Sequence, residues 1–108
     1  MDMVVLRSEI WLINLEPTLG SEMNKLRPCV VISPDEANEH LHTVIAAPLT
    51  STIRNYPSRI SCVFKRKKGQ IAVDQIRALD KSRFVKKAGR LDDATMNELL
   101  ELIRIYFE

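Results

Sequence analysis

The sequence predicts a mainly β domain, a small and strongly curved sheet or partly open barrel, finished by one C-terminal helix. Short apolar runs rich in β-branched residues recur about five or six times before position 92, each stopped by proline or a polar turn. The one long stretch with helical periodicity comes last. Strands followed by a single helix, without βαβ alternation, argue against a parallel α/β fold.

Ile10 to Leu15 reads as a first strand stopped before Pro17, Cys29 to Ser33 as a second ended by Pro34, and Thr43 to Thr50 as a third. Their unbroken apolar character implies burial on both faces. Ser58 to Phe64 alternates more, and Lys65 to Gly69 makes a turn into one long strand, Gln70 to Leu79, forming a hairpin with its tip in a basic run. Arg83 to Leu91 adds a further short strand. Short helices fit Asp35 to Glu39 and Asp80 to Phe84. Asp92 or Asp93 then caps a helix whose apolar stripe is Met96, Leu99, Leu100, Ile103, Tyr106 and Phe107.

A chain of 108 residues with 45% hydrophobic and 28% charged residues is a single globular domain, residues 1–108. At this size folding buries somewhat over ~60% of the unfolded surface, so neither metal nor disulfide is needed. No apolar run nears the ~20 residues that span a bilayer, and the N-terminus does not resemble a signal peptide, so a cytoplasmic protein is expected. Cys29 and Cys62 lie in apolar stretches without a Cys-x-x-Cys partner and read as small buried residues. His40 and His42 lack metal-site spacing and read as loop residues.

The net charge of +2 hides a segregation. Residues 51–90 carry twelve Lys and Arg against two Asp, a formal +10, and the rest carries four against twelve, a formal −8. Phosphate contacts dominate nucleic-acid affinity, so this segment suggests a polyanion-facing surface. An acidic protein tail fits it equally well, and Lys65 to Lys68 also reads as a solvated hairpin tip.

Glu16 to Pro28 forms a first loop of about thirteen residues, a length typical of binding or active-site loops. Arg27 precedes proline, which biases its backbone to the extended region and preorganises a guanidinium suited to phosphate. Pairing with Glu22 or Glu16 is the plainer role for it. Thr50, followed by Ser51 and Thr52, adds hydroxyl donors at a strand end.

These blocks carry a resemblance. Ile10-Trp11-Leu12 with Glu16-Pro17-Thr18, then Gly20-Ser21-Glu22 with Arg27-Pro28 and Val30-Val31-Ile32-Ser33, resembles the opening of MazF/PemK-type toxins of toxin–antitoxin modules. The likeness continues through Ala47 to Ser51, Tyr56-Pro57, Gly69 to Ala78 with Asp74-Gln75, and the helical C-terminus, and so covers nearly the whole chain. Met23 stands where the family usually has Gln.

The resemblance implies an SH3-like β-barrel, active as a homodimer. It also implies a metal-independent and ribosome-independent endoribonuclease that cuts single-stranded RNA to a 2′,3′-cyclic phosphate and a 5′-hydroxyl, without cofactor. A cognate antitoxin with an acidic tail would occupy the RNA groove. Residue by residue, the catalytic positions fall on Arg27 and Thr50, with Glu22 as the candidate base. Gly20, Ser21, Ser51, Arg54, Tyr56, Asp74, Gln75, Arg77 and Lys81 are the expected RNA-binding residues, with structural roles equally open to Asp74 and Gln75. Two other readings share the fold: a CcdB-like, non-catalytic gyrase poison, and a binding module that has lost catalysis.

Overall fold

The structure, a computed structural model, describes residues 3–15 and 26–108. Seven antiparallel strands form one curled sheet: β1 (Glu9–Asn14), β2 (Leu26–Val31), β3 (Thr43–Thr50), β4 (Arg59–Phe64), β5 (Lys67–Ala72), β6 (Arg77–Asp80) and β7 (Phe84–Arg90). The short helix α1 (Asp35–His40) joins β2 to β3, and α2 (Asp93–Tyr106) closes the chain. Strand order runs β4-β5-β3-β2-β1-β7, with β6 also on β3. Among the described residues no helix is long and apolar enough to cross a membrane.

Strand β3 is the hinge of the curl. Its first half, Thr43 to Ala46, pairs with β6, whereas Leu49 and Thr50 pair with β5. The single strand expected over Gln70 to Leu79 is therefore broken. Val73–Gln75 forms a 3-10 turn, which carries the chain from one half of β3 to the other. The apolar residues from Ile71 to Leu79 suit a strand in composition, but the three-residue step from Val73 to Ile76 interrupts the alternation where the chain changes partner along β3.

Two cores result, one on each face, because successive side chains alternate sides. Ile10, Val30, Ala47, Leu49, Ile60 and Ile71 pack under Met96 and Leu99 of α2. Trp11, Ile13, Cys29, Val31, Val44, Ala46, Leu79 and Phe84 form the other cluster. Here Trp11 meets Phe84 edge-on at 5.7 Å between ring centroids. Both cysteines are buried and free.

Helix α2 begins where the sequence places it, since the Asp92 carboxylate accepts from the Thr95 amide at 3.0 Å. Its stripe ends sooner than expected. Tyr106 and Phe107 are 50% and 67% exposed, because the helix outruns the sheet beneath it. The β4–β5 turn is also tighter than Lys65 to Gly69: only Lys65 and Arg66 make it, at φ 51° and 67°. Left-handed backbone at both positions matches the twist of a two-residue hairpin and costs roughly 1–2 kcal/mol per non-glycine residue. Lys67 and Lys68 consequently belong to β5.

Candidate active site

Arg27 and Thr50 are brought together by strand register. In the β2–β3 ladder Cys29 faces Pro48 and Val31 faces Ala46, so continuing the same register sets Arg27 opposite Thr50. Opposed residues of an antiparallel pair point to the same face. Strand alternation assigns both to the face of Cys29, Val31 and Ala46, at the rim of the second core. The β6 strand brings Arg77 to that rim as well, since Arg77 pairs with Ala46 while Leu79, two residues on, lies in the same core. Its charge reaches the Cys29 thiol, although burial dominates there and pushes that thiol up to about 12.

The local backbone fixes each side chain. Strand β2 starts at Leu26 and runs through Pro28, so Arg27 stands within a strand rather than in the preceding loop. Its Nη1 donates to the Leu26 carbonyl at 3.1 Å. Thr50 ends β3, and its Oγ1 accepts from the Thr52 amide at 3.1 Å, which leaves the hydroxyl proton to be donated elsewhere. Gly69 of β5 lies against Thr50 so closely that a Cβ there would stand 2.6 Å from the Thr50 carbonyl oxygen.

Leu26, Arg27, Pro28, Leu49, Thr50 and Ser51 line a cleft of about 310 Å³ together with Cys62, Phe64 and Lys67 to Gly69. Lys67 and Lys68 are the basic residues that sequence reading did not single out. The signal was present in the hairpin itself: a two-residue turn would have moved both lysines from the tip to the cleft wall.

The other expected residues scatter. Ser51 lines the cleft, and Arg54 and Tyr56 are exposed on the β3–β4 loop. Asp74 and Gln75 sit in the 3-10 turn instead of a strand. The Asp74 carboxylate accepts from Arg59 at 3.0 Å and Ser58 at 2.8 Å, and the Arg59 guanidinium foremost holds its carboxyl below the usual range. Gln75 is exposed. Lys81 is not brought to the cleft. Its ammonium donates to the Asn38 carbonyl in α1, beside a separate cavity of about 560 Å³ that also takes in His40 and His42. Glu22, Gly20 and Ser21 lie outside the described residues.

Fold and sequence together define the class. Residues 6–107 match the family model of PemK-like, MazF-like toxins of type II toxin–antitoxin systems, and the chain belongs to that family. Among its relatives, Endoribonuclease EndoA of Bacillus subtilis is 33% identical over 109 residues, covering 95% of this chain and 94% of that protein. Among solved structures, MazF from Deinococcus radiodurans superposes with a TM-score of 0.80 at 24% identity, covering 98% of each chain. An endoribonuclease in complex with its cognate antitoxin from a mycobacterial species gives 0.78 at 24% identity, over 95% of this chain and 94% of the other.

Proposed function

We propose that this chain is the endoribonuclease toxin of its toxin–antitoxin pair, cutting single-stranded RNA at short sequences with Arg27 and Thr50 at the reacting phosphate. The observation that carries the reading is the cleft that Arg27 and Thr50 line together with Lys67 and Lys68, a guanidinium and a hydroxyl beside two ammonium groups. Its support from outside the chain is the family and the naming of its relative as an endoribonuclease.

The chemistry follows from what these groups can do. The ribose 2′-oxygen bonds to the adjacent phosphorus while the bond to the 5′-oxygen breaks, leaving a 2′,3′-cyclic phosphate and a 5′-hydroxyl. A base must take the 2′-proton, charge on the phosphoryl oxygens must be held, and the departing oxygen must gain a proton. Arginine stays protonated and cannot be the base, but its planar fork suits the charged oxygens. In this reading Arg27 clamps the phosphorane and passes an N–H proton to the departing 5′-alkoxide, which is more basic than a guanidine, and solvent restores the guanidinium afterwards. Thr50 Oγ1 donates to a phosphoryl oxygen, and Glu22 takes the 2′-proton.

Ser51, Arg54, Tyr56 and Arg77, together with Lys67 and Lys68, extend the surface for RNA. Unstacked bases would lie on the Tyr56 ring and the Arg54 guanidinium, with the lysines on the backbone. The active unit is a homodimer, and the acidic tail of a cognate antitoxin covers the same basic rim. The test is incubation of the purified protein with a long defined RNA in EDTA, mapped by primer extension. Discrete cuts at one short sequence are expected, and intact RNA beside a folded protein would refute the reading.

A further inference from the structure

Residues 51–58 join β3 to β4, and all but Ser58 are exposed. None belongs to either core. Its middle is held by Gln70 of β5, which is 8% exposed. The Gln70 Oε1 accepts from the Arg54 amide at 3.0 Å, and its Nε2 donates to the Arg54 carbonyl at 3.0 Å. One carboxamide thus satisfies both backbone groups of one loop residue, as a neighbouring strand would. The ends of the loop have further ties, and Gln70 touches one of them, since its Oε1 also accepts from Arg59 Nη1 at 3.5 Å. Thr52 donates to Thr50 Oγ1 at the start, and at the far end the Arg59 guanidinium lies 5.1 Å from the Tyr56 ring centroid and pairs with Asp74.

Gln70 also faces Thr50 directly in the β3–β5 ladder. It therefore ties the loop that carries Arg54 and Tyr56 to the strand end that carries the Thr50 hydroxyl.

We propose that Gln70 is a positioning residue that holds the β3–β4 loop in its RNA-reading conformation, setting substrate affinity and cleavage-site choice without entering the chemistry. The proposal rests on the ribonuclease reading above. A loop already in place meets RNA without the cost of ordering, whereas a loop competent only part of the time weakens apparent affinity by that fraction. Loss of two ordinary hydrogen bonds at such a loop corresponds to roughly tenfold.

The test compares wild type, Gln70→Met and Gln70→Glu on one RNA containing several mapped cleavage sites, with KM, kcat and the relative cutting at each site measured beside thermal melting. Gln70→Met removes both bonds at similar size. It should raise KM by roughly tenfold, hold kcat within about twofold and even out cutting among the sites. Gln70→Glu keeps the acceptor for the Arg54 amide but turns a carboxylate oxygen onto the Arg54 carbonyl and adds a charge 3.5 Å from Arg59 Nη1, so it should raise KM by at least about tenfold and even out cutting among the sites; the evened cutting, which added charge alone would not produce, decides the matter if Gln70→Met does not fold. Unchanged KM and site distribution in a folded variant would overturn the proposal, as would a fall in kcat alone. Failure of the wild type to cut would overturn the ribonuclease reading and this inference with it, and is distinguished by appearing before any substitution is made.

Discussion

Replacing Glu9 by alanine would remove the most heavily used buried carboxylate among the described residues. Its side chain is 7% exposed at the start of β1, and Oε1 accepts from the Leu6 amide at 2.9 Å and the Trp11 indole at 3.0 Å. Lys87 of β7 completes the group at 2.8 Å from Oε2, but its side chain is 51% exposed and rehydrates when the partner goes. The loss is therefore dominated by two stranded N–H donors, at about 1–3 kcal/mol for the buried indole and less for the amide. Roughly 2–4 kcal/mol follows for the whole substitution, a fall in Tm of about 10–20 °C for a domain of this size. Burial alone would push the Glu9 carboxyl up. The Lys87 ammonium, the Leu6 amide and the Trp11 indole outweigh it and hold it below the usual carboxylate range.

That direction fixes the pH dependence. A carboxyl depressed on folding stabilises fully above its unfolded pKa and loses that stabilisation as pH falls through its folded one. Urea unfolding followed by far-UV circular dichroism between pH 3 and 8 should give a constant wild-type advantage over Glu9→Ala above about pH 5, shrinking toward acid. An advantage under about 0.5 kcal/mol at neutral pH, or one that grows as pH falls, would refute the assignment of these bonds as the source.

Three further outcomes are expected. Gly69→Ala forces a Cβ against the Thr50 carbonyl, a backbone atom, so β5 must shift from β3; melting should fall by about 5–15 °C and cleavage, measured well below the transition, by at least about tenfold, and unimpaired cleavage would mean the strand end tolerates the shift. Asp92→Ala removes the α2 cap and should cost about 1 kcal/mol in urea titration, with Asp92→Asn recovering most of it. Cys29, buried and pushed up to about 12, should resist iodoacetamide at pH 8 in the folded protein, and peptide mapping that finds it alkylated there would contradict its burial.

The strands rich in β-branched residues were legible because their apolar runs are long enough to cover a sheet on both faces. Thr43–Thr50 is found at its expected limits. The place of Arg27 beside Thr50 in one cleft was harder to read, since Arg27-Pro28 looks like the end of a loop. Pro28 nevertheless continues β2 and faces Leu12 across the β1–β2 ladder. The break at Val73–Gln75 had a small local signal, the three-residue step from Val73 to Ile76 that interrupts two-residue alternation, and the bend of β3 with the bonds that Asp74 accepts from Arg59 and Ser58 completes the turn. Counting charge could not separate Lys67 and Lys68, which line the cleft, from Lys81, whose ammonium serves the Asn38 carbonyl 43 residues away. Gln70 follows Lys67, Lys68 and Gly69 in β5 and reads as one more polar residue there, and its value appears only when the loop it holds is seen.

The most direct test of the central claim is the single-turnover cleavage rate at one mapped RNA site for wild type, Arg27→Ala, Arg27→Lys and Thr50→Ala, each shown to melt like the wild type. Removing one preorganised donor should lower the rate by about 10²- to 10³-fold in each. Arg27→Lys should be nearly as slow as Arg27→Ala, because the charge stays but the planar fork is lost. Full activity in Arg27→Lys would contradict the clamp, and full activity in both Arg27→Ala and Thr50→Ala would place the chemistry elsewhere on the molecule.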